Sequence, residues 1–293
     1  MAERERIAVV GCGVAGLTAA YLLQQRYDVD IFEANDYIGG HTHTIPIPDG
    51  PDAGTPVDTG FIVCNDRTYP LFHRLLGRLG VAVRRSDMSF SFHDEGSGFH
   101  YCGSDLNGLF AQRSNALRPS FWRLLRGIRR FWRDGMAAVD DDGLRDVTIG
   151  EFIRRGGYGR EFADWFLLPM MAAIWSAPPA EAADFPAQAL LRFFRNHGLL
   201  SYRNRPTWQT VVGGSHVYAQ AFRRQFRGTV HVSSPVLAVQ RHADHVTVST
   251  DRGTAAFDQV VMATHADQAL AVLADASPER SEERRVGKEC RSR

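Results

Sequence analysis

The chain has 293 residues, 44% of them hydrophobic, which is enough for one large or two interleaved domains with a real core. A formal net charge of +1 gives no global field that would recruit nucleic acid or an anionic membrane. The four cysteines, Cys12, Cys64, Cys102 and Cys290, form no C-x-x-C pair, and neither a leader-like apolar segment nor an apolar stretch of spanning length is present; the expectation is a cytoplasmic protein without bound metal.

Ile7 to Val10 is a short apolar run of the kind that forms a buried parallel strand. Gly11, Gly13 and Gly16 follow as G-x-G-x-x-G and lead into Leu17, Ala19, Ala20, Leu22 and Leu23 at helical spacing. Gly11 permits a tight turn, Gly13 lets the backbone approach a pyrophosphate, and Gly16 lets helix and strand pack closely. The phosphates would meet the chain at Val14 and Ala15, where free amides and the helix dipole favour negative charge. A second strand, Val29 to Phe32, ends at Glu33, about 20 residues past the glycines, where a carboxylate accepts hydrogen bonds from an adenosine ribose. The acid would repel a 2′-phosphate, which disfavours NADP; it does not separate FAD from NAD.

The next stretch, Glu33-Ala-Asn-Asp-Tyr-Ile-Gly39-Gly40-His41-Thr42-His43-Thr44, resembles the E-x-x-x-x-x-G-G-R-x-x-T extension of the flavin amine oxidase, phytoene desaturase and protoporphyrinogen oxidase superfamily. The resemblance implies FAD, with Gly39, Gly40, His41 and Thr42 close to its flavin side. His41 stands where that superfamily usually has Arg, so the pyrophosphate contact is expected to be weaker or differently made. His41 and His43 as metal ligands are the alternative, opposed by the lack of a third ligand nearby. Val57-Asp58-Thr59-Gly60-Phe61-Ile62-Val63, Asn65-Asp66-Arg67-Thr68-Tyr69-Pro70, Pro169-Met170-Met171-Ala172-Ala173-Ile174-Trp175-Ser176, Val211-Val212-Gly213-Gly214-Ser215 and Ala263-Thr264-His265-Ala266-Asp267 narrow the likeness to bacterial predicted NAD/FAD-binding, amine-oxidase-like proteins, from about Ile7 to Asp275. The implied fold class is α/β, a Rossmann-like FAD-binding domain with an interleaved α+β substrate domain. Residues 1–80 and 211–279 are expected to form the FAD-binding domain, and 81–210 the substrate or cap domain. Gly60 is expected among the cofactor contacts, and Val236 is expected to place its backbone against the adenine.

Arg74 to Arg85 reads as a short helix and strand, and Ser89 to Phe92 with Phe99 to Tyr101 as a hairpin around a Gly-rich turn. From Leu117 on, Leu117, Phe121, Leu124, Leu125, Ile128, Phe131 and Trp132 recur at helical spacing, Pro119 is suited to start the helix, and Arg123, Arg126, Arg129, Arg130 and Arg133 cover other faces. Residues 117–133 could rest on a membrane surface, or pack on the substrate domain with their arginines in water. Asp140 to Gly143 reads as a loop and Thr148-Ile149-Gly150-Glu151 as a capping box. Phe162 to Trp175 is apolar enough to be central; Trp175 and Trp208 could line a substrate cavity or be plain core. Thr229 to Val232, Val236 to Val239 and Val246 to Thr250 read as strands, and Phe257 to Ala263 as a return to the buried parallel sheet.

All but one of the 34 basic residues are arginine, and the one lysine, Lys288, lies in Arg280 to Arg293, RSEERRVGKECRSR. That segment resembles the translation of a sequencing-library adapter, so a non-native tail at 280–293 and a native chain truncated near Glu279 are expected. A solvated, disordered tail is the alternative. The superfamily's closing segment is missing, which would leave a strand edge open. The expected function is an FAD-dependent oxidoreductase of the amine oxidase-like type, moving a hydride from an apolar or amine-bearing small molecule to flavin N5. The alternatives are a desaturase or oxidase acting on lipid acyl chains, a redox-inactive nucleotide-binding module, and a non-functional fragment. Many amine oxidases place a lysine near N5; no lysine precedes the tail here, so no catalytic base is assigned, and His43 is a candidate by location alone.

Overall fold

The computed structural model describes residues 4–175, 178–201 and 205–277. Ser176, Cys290, Lys288 and the whole of 280–293 lie outside the described residues. Two compact units divide the chain. The first takes the described residues up to Cys64, then Tyr69–Arg85, then those from Gln209 onward; the second takes Asn65–Thr68 and Ser86–Trp208.

In the first unit β1 (Arg6–Val10), α1 (Val14–Leu23) and β2 (Asp28–Phe32) follow one another, and the two strands pair in parallel. Thr229–His231 joins the far side of β2 and Gln259–Met262 the far side of β1, giving a four-stranded sheet parallel throughout. A strand buried on both faces cannot alternate apolar and polar, which is why Ile7 to Val10 reads as a continuous apolar run. Successive side chains still point to opposite faces. Val9 and Ile31 join Leu17 of α1 and Tyr218 and Phe222 of the helix His216–Gln225, while Ala8, Val10 and Phe32 meet Val239, Val248 and Phe257. Those three belong to an antiparallel sheet, Val236–Arg241, Val246–Thr250 and Gly253–Phe257, so the unit stacks helices, parallel sheet and antiparallel sheet.

One carboxylate ties distant pieces of this unit together. Asp58 accepts hydrogen bonds from the Ser215 backbone N–H at 2.8 Å, the Ser215 hydroxyl at 2.8 Å and the Thr44 hydroxyl at 2.5 Å. It thus holds a negative charge at the N-terminus of His216–Gln225, where the orphan amides of the first turn favour it.

The second unit packs the hairpin Ser91–Asp94 and Phe99–Cys102 with helices that include Pro119–Ala138 and Ala187–Asn196. Phe121, Leu124, Ile128 and Phe131 give the long helix its buried stripe, joined by Phe99, Phe162 and Phe194 in one aromatic-rich core. Pro119 opens that helix at its first turn, where a missing N–H costs nothing. The helix expected from Arg74 starts earlier, at Pro70 in the first unit, for the same reason. Only half of the capping box forms: Thr148 accepts from the Glu151 N–H at 3.2 Å, but the Glu151 carboxylate binds Arg155 at 2.6 Å instead of reaching back. Trp175 packs between Phe185 and Phe193, each with ring centroids 4.9 Å away, and Trp208 stacks on His197 at 6.1 Å; both make packing contacts inside the second unit. No described helix is long and apolar enough to cross a membrane.

Candidate functional site

A cleft of about 910 Å³ opens in the first unit where β1 hands over to α1. The turn there is set by Gly11, whose φ of +98° only glycine adopts cheaply and whose missing Cβ would lie 2.8 Å from the Ala263 carbonyl oxygen. Gly16 is required by packing: a Cβ would come 1.9 Å from the Gly11 oxygen, so helix and turn could not close. Gly13 differs, since a Cβ there would meet nothing nearer than the Gly40 Cα at 4.0 Å, leaving backbone exposed to the cleft. No side chain caps α1, and its first turn carries no acid. An anion at the turn would therefore meet unclaimed amides and the positive end of the dipole.

Glu33 lies at the end of β2, 6% exposed. One carboxylate oxygen accepts from the Cys12 N–H at 2.8 Å and the other from the Asn35 N–H at 2.9 Å, which fixes the side chain across the glycine turn. No cation pairs with it among the described residues. A carboxylate has about four acceptor sites, so hydroxyl donors of a sugar can still be accommodated. The same burial, with the Glu33 charge second, pushes the Cys12 thiol up to about 12, so Cys12 stays protonated and inert.

The second glycine pair meets the first. A Cβ on Gly40, whose φ is +62°, would sit 2.9 Å from the Gly13 Cα, so the two loops touch backbone to backbone. Thr42 hydrogen-bonds the Tyr218 hydroxyl at 2.5 Å, fastening that loop to the helix His216–Gln225. Phe61, Phe72 and Tyr218 continue the lining as edge-to-face rings, with centroids 5.2 Å and 5.4 Å apart along the series. Burial raises the Tyr218 phenol above its ordinary range, as it does for Tyr69, so neither ionises near neutrality.

Of the residues expected at a cofactor, Gly11, Gly13, Val14, Ala15, Glu33, Gly39, Gly40, His41, Thr42 and Val236 all line this cleft. Gly16 and Gly60 do not. Gly60 is needed for another reason, since a Cβ on it would fall 2.1 Å from the His41 carbonyl oxygen. His43 bonds Thr59 at 3.2 Å and packs on Tyr37, outside the lining. The aromatic wall and the loop Ala263–His265 were not expected at the site; Tyr218 had no signal beyond helical spacing. No group of His, Cys, Asp or Glu among the described residues is arranged to hold a metal ion.

Residues 14–285 match the family model described as flavin containing amine oxidoreductase. The chain belongs to the flavin-containing amine oxidoreductase family. Among curated relatives of this amine oxidoreductase, "Putative flavin-containing monoamine oxidase AofH" of Mycobacterium tuberculosis is 30% identical over 270 residues, 88% of this chain and 56% of that protein. The flavin-dependent L-tryptophan oxidase RebO of Lentzea aerocolonigenes is 31% identical over 274 residues, 85% of this chain and 55% of that protein. The chain thus spans about half the length of the curated relatives it matches. The fold of the amine oxidoreductase is shared with cyclohexylamine oxidase from Brevibacterium oxydans, at TM-score 0.69 and 18% identity over 97% of this chain and 63% of that one. Putrescine oxidase bound to putrescine gives TM-score 0.68 and 17% identity over the same shares, 97% and 63%.

Proposed function

We propose that this chain is the cofactor-holding portion of an FAD-dependent oxidoreductase that oxidises an amine-bearing or apolar small molecule. The observation that carries the reading is the cleft itself, in which an open glycine turn and uncapped helix stand next to a backbone-anchored carboxylate. In this reading Gly13, Val14 and Ala15 receive the diphosphate, Glu33 accepts from the adenosine ribose, Val236 lies along the adenine, and Gly39 to Thr42 lead toward the flavin. Bound FAD supplies the hydride acceptor, flavin N5. The chain's own residues bind and orient: the amides of the turn neutralise, the carboxylate fixes register, and the aromatic wall keeps water out. The names of the relatives, monoamine oxidase and L-tryptophan oxidase, support an amine as substrate. A cytoplasmic setting belongs to the same reading, supported by free Cys12, Cys64 and Cys102. The test is direct: purified protein mixed with FAD should retain a flavin absorbance spectrum through gel filtration. Colourless protein that takes up none would overturn the proposal.

A second reading, action on lipid acyl chains, is favoured by one observation in 117–133: Leu117 is 87% exposed and Trp122 49%, beside exposed arginines. Against it, Arg123 pairs with Glu161 at 2.6 Å, and Arg130 and Arg133 both pair with Asp134. Flotation with anionic vesicles decides: protein left at the bottom of the gradient ends the membrane version.

A further inference from the structure

We propose that the corner of the first unit where the C-terminal ends of α1, Pro70–Leu79 and His216–Gln225 converge is a docking surface for an acidic face of another protein. Gln225, the last residue of its helix, builds the convergence. Its Nε2 donates to the Leu79 carbonyl at 3.2 Å, and its Oε1 accepts from the Tyr21 hydroxyl at 3.4 Å. The Arg227 N–H donates at 2.9 Å to the side-chain oxygen of Gln24, the buried C-cap residue of α1. Two glutamines thus fasten three helix ends together.

Each end brings arginines. Arg26 follows α1, Arg74 and Arg78 lie one turn apart on Pro70–Leu79, and Arg223, Arg224 and Arg227 close His216–Gln225; all six are exposed. No Asp or Glu occurs in 14–27, 67–86 or 206–243. Among the described residues none of the six joins an ion pair, and neither does Asp28, the acid that follows Arg26 most closely in the chain. Elsewhere in the unit Arg6 pairs with Asp30 at 3.1 Å and Arg241 with Asp275 at 2.6 Å. An arginine at a helix C-terminus ordinarily needs no ligand, because it answers a dipole end equivalent to roughly half a negative charge. Here three such ends and Asp28 together still leave roughly 3.5 positive charges unanswered. Arg74 and Arg78, four residues apart, also repel each other. A chain of formal net charge +1 thus concentrates positive charge on one corner, and a partner carrying carboxylates relieves it.

A protein surface fits this corner better than a bilayer or a nucleic acid. A helix that binds a membrane surface lies in its plane with the apolar face in lipid. Here Leu75, Leu76, Leu79, Tyr218 and Phe222 face the core, and in the last turns of the three helices Leu22, 48% exposed, is the one exposed large apolar side chain. Phosphodiesters and lipid phosphates offer acceptors, but the carbonyls that point out of three helix ends are acceptors themselves. A protein offers both carboxylates for the guanidinium forks and donors for the carbonyls. The corner lies at the far end of α1 from the glycine turn, about 15 Å away along a helix of 10 residues. A partner there leaves the cleft open, and the proposal stands whether or not the cleft takes FAD.

The test uses the full chain and a fluorescein-labelled oligo-glutamate peptide, read by anisotropy at about 50 mM and about 300 mM salt, with phosphatidylglycerol vesicles and duplex DNA as the rival partner classes. The peptide should bind at the lower salt and weaken on the order of tenfold at the higher. The triple variant R78Q/R224Q/R227Q should weaken binding on the order of tenfold, while R78K/R224K/R227K, which keeps the charge, should retain most of it. R145Q, in the second unit, should leave it unchanged. Circular dichroism checks the fold of each variant; should the triple variant not fold, R78Q and R227Q singly are expected to weaken binding roughly twofold to threefold each. No binding of the peptide, equal binding by the glutamine variants, or binding of vesicles or duplex without the peptide would overturn the proposal.

Discussion

Replacing Glu33 with Gln keeps the shape of the side chain and removes one acceptor. In the native protein each carboxylate oxygen takes a backbone N–H, from Cys12 at 2.8 Å and Asn35 at 2.9 Å. In Glu33→Gln one of these amides faces an NH₂ group, donor against donor, in a place with almost no water, Glu33 being 6% exposed. A hydrogen bond to a charged acceptor contributes about 1.5–3 kcal/mol, and a buried donor stripped of its partner costs about 1–3 kcal/mol. The remaining amide keeps a neutral bond of about 1 kcal/mol, so the net loss should be about 2–4 kcal/mol. Urea unfolding should show it as a lower midpoint with an unchanged slope, and Tm should fall by roughly 5–12 °C. A loss under about 0.5 kcal/mol would refute the reasoning, because it would mean that the Glu33 anchor contributes nothing beyond its shape.

Gly16→Ala should prevent stable folding or cost more than about 4 kcal/mol, since its Cβ would overlap the Gly11 oxygen at 1.9 Å; soluble yield and circular dichroism are the readouts. Asp58→Ala removes the acceptor shared by Thr44 and Ser215 and should destabilise by about 2–4 kcal/mol in thermal unfolding, whereas Asp58→Asn should lose less. Gly77→Ala, at an open position within the helix Pro70–Leu79, should stabilise by about 0.5–1 kcal/mol. Because the Cys12 thiol is pushed up to about 12, it remains protonated at pH 8, and Cys12 should react with a disulfide reagent only on unfolding, after the partly exposed Cys102.

The end of the chain that carries the glycine turn was legible because local rules and tertiary demand coincide there. A buried parallel strand must be apolar, a turn with φ of +98° must be glycine, and both signals stand next to each other in the chain. The resemblance motifs were visible without their physical cause. Val57 to Val63 and Val211 to Ser215 belong together because Asp58 accepts from Ser215, a pairing across 157 residues that no periodicity encodes. Tyr218 was hidden for a similar reason: its place on the cleft depends on how His216–Gln225 packs, and spacing alone reports only that one face is apolar. Gly60 marks a limit of the sequence, because close-approach glycines look alike in it whether what comes near is a ligand or the chain itself. Its neighbour proves to be the His41 carbonyl. The capping box was half visible, since Arg155 outbids the Thr148 N–H for Glu151, a competition between a charged and a neutral donor.

The position of β1, between β2 and Gln259–Met262, carries a consequence for biosynthesis. A ribosome that has released residues up to about 210 has delivered every described part of the second unit, while β1 still lacks the neighbour on one side and Asp58 still lacks Ser215. The nascent N-terminal strand must wait, apolar and half-paired, for a partner some 250 residues later. That interval is when a chaperone has most to shield, and a translational pause just before Gln259 would lengthen it and lower the yield of folded protein.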